Sequence, residues 1–247
     1  MIDSPNKAYW LGFLWADGYI AKRVREVRNK HGVNTSDRIE YNLKFSLKES
    51  DKEHLQKFVN DLQSNYPIHK YKTKGFNGMG NSYESRVFIT NTYMCGDLLY
   101  EKLGLIPNRH DPTAIINHIP KEFYRYFILG VFDGDGSFSE YSGSGYGDKM
   151  NVAFGGSQEL LEFIEDYLIE QGVVEKVNTP SGRRKLYQRH EGRDGTWRTL
   201  CFTGIPQSSK VLNFLYKDAV IYLDRKYQKY LDLSFVREEK LPAHKPK

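Results

Sequence analysis

Two apolar segments, each long enough for about two helical turns, end in an aspartate followed by a glycine. They are Tyr9–Gly18 and Phe127–Gly136. Residues four apart lie on one face of a helix, and in both segments one such pair is small. The pairs are Gly12 with Ala16 and Gly130 with Gly134. The pattern therefore predicts two helices that can pack backbone against backbone through these residues.

Alternation of apolar and polar residues predicts strands after each of these helices. The clearest runs from Ile39 to Lys48, where every second residue is apolar, so one face is expected in the core and the other in water. In the first half we predict strands at 19–28, 39–48, 68–74 and 83–90, and helices at 49–63 and 92–103. In the second half we predict strands at 137–141 and 150–155, two or three more within 173–203, and helices at 157–171, 207–216 and 221–231.

Both halves of the chain repeat the order helix, two strands, helix, two strands, helix. This αββαββα order predicts an α+β fold of two pseudo-symmetric repeats, each an antiparallel sheet with helices on one face. Pro107, Pro112 and Pro120 discourage continuous helix between the repeats. We therefore divide the chain into an N-terminal repeat (1–105), a linker (106–120), a C-terminal repeat (121–236) and a mobile tail (237–247).

Composition narrows the class of protein without deciding it. The 247 residues are 39% hydrophobic and 14% aromatic, which argues against disorder, and no apolar stretch is long enough to cross a bilayer. The first residues have neither the basic nor the apolar region of a secretory signal. A net charge of +5 permits a polyanionic partner without requiring one. We expect a soluble protein that is not secreted and that works in bacterial or phage cytoplasm or in an organelle.

Asp17 and Asp135 fall in the last turn of the two predicted helices, where an acid opposes the helix dipole. Gly18 and Gly136, which follow them, suit the left-handed position just past a helix end. An aspartate that is unfavourable for helix stability at two matching positions suggests a function that compensates for the lost stability. If the helices pack side by side, the two carboxylates repel each other unless a cation lies between them. Such oxygen ligands suit Mg²⁺ acting on a phosphodiester.

These two segments resemble the signature motifs of the LAGLIDADG homing endonucleases, in the single-chain form that carries two copies. The matching residues are Trp10–Gly18 and Ile128–Gly136. The second copy is close to the family pattern, whereas the first has Trp15 where the family usually has its first acid. That position is not the main catalytic one, and its counterpart Asp133 is interpreted as polar support near the helix end. The metal-binding acid is present in both copies, as Asp17 and Asp135.

The resemblance implies a saddle-shaped pair of antiparallel sheets with helices on the outer face and the motif helices at the interface between the repeats. It also implies a basic residue near each scissile phosphate, which is Lys226 in the second half and Arg109 in the first. Arg109 cannot easily lose a proton, so it would stabilise charge and not act as a base; it could also be a surface residue near a proline-rich turn. Glu49 and Gln158 match positions that hold active-site water, and they could equally be helix-start residues.

Polar side chains on the wet strand faces supply the DNA-binding surface that the resemblance implies, since a two-stranded ribbon fits the major groove. Taken singly, each could be a solvated surface residue, and only the set has weight. In the first half the candidates are Arg23, Arg25, Glu40, Asn42, Lys44, Ser46, Lys70, Lys72, Lys74 and Arg86. In the second half they are Ser139, Tyr141, Asn151, Arg183, Arg184, Lys185, Gln188, Arg189 and Arg198.

The resemblance implies a monomeric, site-specific endonuclease of the intron-homing type that makes a double-strand break in DNA. It further implies Mg²⁺ as cofactor, with Mn²⁺ as a substitute, short 3′ overhangs and a long target without strict palindromy. No partner membrane is expected. The alternative is an intron RNA maturase, a splicing cofactor of the same fold, and binding to intron RNA without DNA cleavage would favour it.

Overall fold

The structure is a computed structural model that describes residues 2–74, 81–107, 109–143, 147–188, 196–233 and 236. The chain divides into two compact units, one of residues 1–2 and 17–120 and the other of residues 3–16 and 121–247. Helix α1 (Pro5–Asp17) therefore belongs, except for its last residue, to the second unit. The repeat boundaries predicted from the sequence rest on the repeated order of helices and strands, whereas these units are defined by compactness. The predicted boundaries therefore stay a prediction.

The first unit is built on a four-stranded antiparallel sheet. Its strands are β1 (Gly18–Arg28), β2 (Asn34–Lys48), β3 (Ile68–Lys74) and β4 (Asn81–Ile89), in the spatial order β1-β2-β4-β3. A 3₁₀ turn (Glu49–Asp51) leads from β2 into α2 (Lys52–Asp61). A π-helix (Tyr93–Lys102) and the short α3 (Thr113–Ile116) follow β4.

The predicted alternation in β2 places one face of this sheet in the core. Tyr41, Leu43, Phe45 and Leu47 are buried, and the ring of Phe45 meets that of Phe58 on α2 edge to face, with centroids 5.2 Å apart. Ile39 departs from the prediction because it is 46% exposed. The cause is that β2 begins five residues earlier than predicted, while its pairing with β4 starts only at Leu43. The outer part of the β1–β2 hairpin is therefore a two-stranded ribbon.

The second unit contains the other four-stranded antiparallel sheet. A 3₁₀ turn (Lys121–Phe123) precedes α4 (Tyr124–Asp135), and the strands are β5 (Ser137–Gly143), β6 (Gly147–Gly156), β7 (Tyr187–Gln188) and β8 (Arg198–Thr203), in the order β5-β6-β8-β7. The remaining helices are α5 (Gln158–Glu170), α6 (Ile205–Tyr216) and α7 (Asp224–Leu231). Ser157 caps α5, because its Oγ accepts a hydrogen bond from the Leu160 N–H.

Two antiparallel four-stranded sheets with helices confirm the predicted α+β fold class. The left-handed conformation expected at Gly136 is wrong, since its φ of −84° and ψ of 165° are those of an extended residue. This glycine serves close packing instead: a Cβ there would lie 2.2 Å from Phe132 Cδ2 and 2.6 Å from the Phe132 carbonyl oxygen. None of the helices in the described ranges has the length and apolar character that a bilayer span requires.

Candidate functional site

Helices α1 and α4 pack backbone against backbone at two glycines. A Cβ on Gly12 would lie 2.0 Å from the Phe127 carbonyl oxygen, and one on Gly130 would lie 2.0 Å from the Tyr9 carbonyl oxygen. Both distances are far inside van der Waals contact with backbone atoms that cannot swing aside. Only glycine therefore fits at either position. Ala16 and Gly134, one turn further along, are half-buried.

Each of these packed helices ends in one of the predicted metal-binding acids. Asp17 is the last residue of α1 and is exposed, whereas Asp135 is the last residue of α4 and is half-buried. Asp17 belongs to the first unit and Asp135 to the second.

Lys226 places its own ammonium group at the end of α4, beside Gly136, the residue that follows Asp135. Its side chain is buried, at 7% exposure, and its Nζ donates to the carbonyl oxygens of Phe132 at 2.5 Å and Gly136 at 2.6 Å. The ammonium also lies 5.1 Å from the centroid of the Phe132 ring. A cation bonded to the last carbonyls of a helix complements the negative end of its dipole. The predicted basic residue of the second half therefore lies beside the residue that follows Asp135.

Arg109 makes the corresponding contact in the first unit. Its Nη2 donates to the carbonyl oxygen of Gly18, the residue after Asp17, at 3.0 Å. Its Nη1 lies 3.4 Å from the Ile106 carbonyl oxygen, and the side chain is half-buried. Each unit thus bonds a basic side chain to the carbonyl that directly follows its motif acid.

Asp133 is buried at the centre of a hydrogen-bond network that the sequence did not reveal. Its Oδ2 accepts from the Tyr9 hydroxyl at 2.8 Å and from the Leu223 N–H at 2.7 Å, and its Oδ1 accepts from the Tyr216 hydroxyl at 2.6 Å. Burial raises the pKa of Asp133, although the Lys226 charge and the three hydrogen bonds favour its ionised form. Burial, followed by the charge of Asp133, also raises the pKa values of both tyrosines well above their usual range.

Glu49 and Gln158 both begin helical turns after a strand. Glu49 Oε2 accepts from the Ser85 hydroxyl at 2.5 Å, and its Oε1 lies 3.4 Å from Lys70 Nζ. The Ser85 hydrogen bond, and after it Lys70, lowers the pKa of Glu49. Gln158 is exposed at the start of α5 and donates to Glu162 Oε1 at 2.8 Å. Their positions are those of helix-start residues, and a role in holding water stays a prediction.

Seven of the ten first-half DNA-binding candidates share the sheet face opposite the buried residues. Residues paired across strands lie on the same face, and Arg23 pairs with Glu40, Arg25 with Arg38, Lys44 with Phe88 and Ser46 with Arg86. We call this surface the open face of the first sheet. Its candidates are Arg23, Arg25, Glu40, Asn42, Lys44, Ser46 and Arg86.

Lys70, Lys72 and Lys74 lie on the other face. Lys70 pairs with Ser85, and Ser85 in turn pairs with the buried Leu47, so the three lysines have the orientation of the core residues. They are exposed because β3 is the edge strand of the sheet. The interpretation that they form one surface with Arg86 is therefore wrong, because polar alternation alone does not say which face the helices cover.

In the second sheet, Ser139, Tyr141 and Asn151 share the open face, the face opposite Phe138, Val152 and Phe202. Ser139 pairs with Asn151, and Asn151 pairs with Thr203. Lys149, which pairs with Tyr141, lies on the same face and was not among the predicted residues. Three side-chain oxygens on the two open faces have no hydrogen-bond partner within the described part of the chain. They are Ser46 Oγ, Asn151 Oδ1 and Thr199 Oγ1.

Arg184 is a correction to the predicted DNA-binding set. Its side chain is 9% exposed and its Nη1 donates to Glu165 Oε1 at 2.9 Å, while Glu165 is itself 2% exposed. The guanidinium also lies 4.9 Å from the Phe202 ring. A charge buried in this way holds the 173–184 segment on α5 and is not available to DNA.

Arg183 also faces α5, where its Nη2 donates to Asp166 Oδ2 at 2.7 Å. Gln188 and Arg198 pair with each other at the sheet edge and have the orientation of Phe154 and Leu200, so neither lies on the open face. Lys185 is exposed, with its Nζ 5.8 Å from the Tyr187 ring. Arg189 lies outside the described residues.

The donor set available for a metal is small. Within the described residues, no group of three or more His, Cys, Asp or Glu side chains is placed to hold a metal ion. Asp17 is an exposed carboxylate and Asp135 a half-buried one, each at the end of its helix. One or two carboxylates with waters and substrate phosphates are the ligands that Mg²⁺ uses, so the residues present fit such an ion.

Residues 122–204 match the family profile described as "LAGLIDADG-like domain". The matched residues begin just before α4, and they include the motif helix, Asp133, Asp135 and the strands of the second sheet.

Solved structures show that the LAGLIDADG likeness extends to the fold of the whole chain. The meganuclease I-SmaMI, bound to uncleavable DNA, is 14% identical with a TM-score of 0.60, covering 96% of this chain and 92% of that one. The I-LtrWI LAGLIDADG homing endonuclease, bound to target DNA, is 12% identical with a TM-score of 0.58, covering 94% of this chain and 90% of that one. A structure of I-SmaMI with uncleaved DNA and calcium ions is 15% identical with a TM-score of 0.57, covering 96% of this chain and 92% of that one. No curated protein matches the sequence.

Several residues near the motif helices have contacts that the sequence did not indicate. Tyr9, Tyr216 and Leu223 surround Asp133, yet they come from three separate segments. One signal was available: an aspartate within an apolar helix needs partners when it is buried. Lys149 directly precedes the predicted strand 150–155, and it was missed because the observed strand begins earlier, at Gly147, so that Lys149 pairs with Tyr141.

Proposed function

We propose that the protein is a site-specific DNA endonuclease that makes a double-strand break at a long target without strict palindromy. The cleavage depends on a divalent metal ion, Mg²⁺ or Mn²⁺ in its place, and leaves short 3′ overhangs. The observation that carries the proposal is the repeated arrangement at the ends of α1 and α4. In each, an aspartate is followed by a glycine whose carbonyl binds a basic side chain, Arg109 or Lys226.

In this proposal Asp17 and Asp135 hold the metal ions, whose chemistry is to activate water and to stabilise the leaving oxygen. Lys226 and Arg109 balance the charge that builds up on each scissile phosphate. Lys226 is held by two carbonyl oxygens, so its ammonium is already positioned before DNA binds. Arg109 keeps its charge at any working pH, which suits charge stabilisation and excludes a role as a base. Glu49 and Gln158 are proposed to order the attacking water.

The open faces of the two sheets are proposed to contact the DNA grooves. The first face presents arginine, lysine and asparagine side chains, which bind phosphates and base edges. The second presents Ser139, Tyr141, Lys149, Asn151 and Thr203. Because the two faces differ in residue type, we expect two different half-sites. The oxygens of Ser46, Asn151 and Thr199 support this proposal, since polar atoms without a partner are costly until a ligand or water satisfies them.

Digestion of a randomised DNA library with Mg²⁺ tests the function. Wild-type protein is expected to give discrete double-strand breaks at one site, and the Asp17→Asn and Asp135→Asn variants are expected to bind that site without cutting it. Asp61→Asn is a matched control, because Asp61 is an exposed aspartate that ends helix α2. It should cut as the wild type does. Calcium in place of magnesium should support binding alone.

The outcome that would overturn the proposal is a wild-type protein that cuts no DNA in Mg²⁺ or Mn²⁺. If the same protein then retains intron RNA in a pull-down, the maturase alternative replaces the nuclease. Cleavage that survives both aspartate substitutions would also remove the two acids from their proposed role.

A further inference from the structure

The basic residues at the two motif helices both bond backbone carbonyls. Lys226 is 7% exposed and its Nζ donates to two carbonyl oxygens of one helix end at 2.5 and 2.6 Å. Arg109 is half-buried and donates to the carbonyl oxygens of Gly18 at 3.0 Å and of Ile106 at 3.4 Å. The surroundings of Lys226 also contain a buried acid.

Asp133 fixes the start of the helix that carries Lys226. Leu223 is the residue immediately before α7, and its N–H donates to Asp133 Oδ2 at 2.7 Å. The Leu223 carbonyl then accepts from the Lys226 N–H at 3.0 Å in the first turn of α7. Lys226 in turn reaches back to the carbonyl of Phe132, the neighbour of Asp133. The two helices are therefore joined at two points, and displacing Asp133 would displace the ammonium.

The carboxylate of Asp133 is itself held from two further helices. The Tyr9 hydroxyl donates from α1 and the Tyr216 hydroxyl donates from α6, at 2.8 and 2.6 Å. The position that corresponds to Asp133 in the first motif is Trp15, a buried residue whose side chain has no oxygen to accept such bonds. Arg109 therefore has no counterpart of this acid in its own motif.

We infer that Asp133 is a positioning residue for Lys226, and that its effect on cleavage is confined to the DNA strand that Lys226 serves. The inference rests on the proposed function, because it assigns one basic residue to each scissile phosphate. The Asp133 network holds the helix that carries Lys226, whereas the first motif has Trp15 in place of that acid. The two strands are consequently cut by unlike centres.

Strand-specific cleavage kinetics test the inference. A duplex carrying the target site and a different label on each strand is digested by wild-type protein and by Asp133→Asn. The amide keeps the shape of the carboxylate but presents an N–H₂ group where hydroxyl or backbone donors now point. We expect the Lys226-dependent strand to be cut roughly 10- to 100-fold more slowly, because a small misplacement of a catalytic group lowers the rate by about this factor. The other strand should keep its rate within about twofold.

Glu165→Gln is the matched control. Glu165 is a second buried carboxylate of the same unit, and its hydrogen bonds run to the Arg184 side chain and backbone N–H on a different segment. It should lower stability as Asp133→Asn does, yet slow neither strand selectively. Lys226→Met identifies the strand in question. Equal slowing of both strands by Asp133→Asn would overturn the inference while leaving the nuclease proposal intact.

A second measurement does not need cleavage. Acetylation of the native protein, followed by mass spectrometry, reports the accessibility of each lysine ammonium. Lys226 should react slowly in the wild type and several-fold faster in Asp133→Asn, with the exposed Lys210 on α6 as the internal reference. An unchanged rate at Lys226 would exclude positioning by Asp133, whatever the protein does to DNA.

Discussion

Lys226 Nζ donates to the carbonyl oxygen of Gly136 at 2.6 Å, which sets a buried cation directly after the second motif acid. Lys226→Met removes the charge and keeps most of the apolar stem. We expect DNA cleavage to fall at least about 100-fold, as loss of a group that stabilises transition-state charge typically does. Target binding, measured by gel shift in Ca²⁺, should change by less than tenfold. A variant that cuts normally would remove Lys226 from the site.

Gly130 is expected to tolerate no side chain. In Gly130→Ala the new Cβ would meet the Tyr9 carbonyl oxygen at 2.0 Å, so α1 and α4 must move apart. Overpacking of this kind costs about 1–3 kcal/mol or more, and we expect the upper end because both partners are backbone. Denaturant unfolding measures the loss. Gly156→Ala is the comparison, because its Cβ would meet only the mobile end of Leu160 at 2.9 Å and should cost less.

His54 should make the first unit sensitive to acid. It is buried on α2, and burial, followed by the charge of Lys57, lowers its pKa to about 3. In the unfolded chain a histidine has a pKa of about 6.5, so below that pH the unfolded state binds a proton that the fold resists. The stability of the fold that depends on a neutral His54 side chain is fully present above about pH 6.5 and is lost as the pH falls towards 3. At pH 5 the loss is about 2 kcal/mol.

The His54→Leu variant isolates this contribution. Its free energy of unfolding should fall less between pH 7 and pH 5 than that of the wild type. The difference between the two falls should be about 2 kcal/mol. Equal pH dependence of the two proteins would show that His54 is not buried in its neutral form.

Arg184 should matter for stability and not for DNA contact. Arg184→Met leaves the Glu165 carboxylate buried without its partner, which typically costs about 3–5 kcal/mol. The neighbouring Lys185 is exposed, so Lys185→Met should unfold at the wild-type temperature. Thermal unfolding compares the two variants. If both behave alike, the buried ion pair does not hold this segment.

Lys44 and Lys72 lie on opposite faces of the first sheet and give a direct test of which face meets DNA. Lys44→Ala is expected to reduce the slope of log affinity against log salt concentration by about 1, since one phosphate contact is lost. Lys72→Ala should leave that slope unchanged. A larger effect from Lys72 would place the DNA on the helix side of the sheet.

The fold could be predicted from the sequence because its signals are local. Strand β3 has the predicted bounds, and the paired small residues indicated that the motif helices could pack closely. Contacts that join distant segments could not be predicted in this way. The partner of Arg184 is Glu165 on another element, and the Asp133 network needs Tyr9, Tyr216 and Leu223 together. The orientation of Lys70 depends on strand register, which polar alternation alone does not fix.

Among the residues that the structure describes, the outer part of the β1–β2 hairpin pairs only with itself, and it exposes Val24 at 66% and Ile39 at 46%. A two-stranded ribbon without a third strand or a helix beneath it is at best marginally stable in water. Its amide protons should exchange with solvent before those of the rest of the sheet. Any ligand that orders this ribbon must then offset the conformational entropy that the ribbon loses on binding. Tight recognition there will therefore show a large favourable enthalpy offset by an unfavourable entropy.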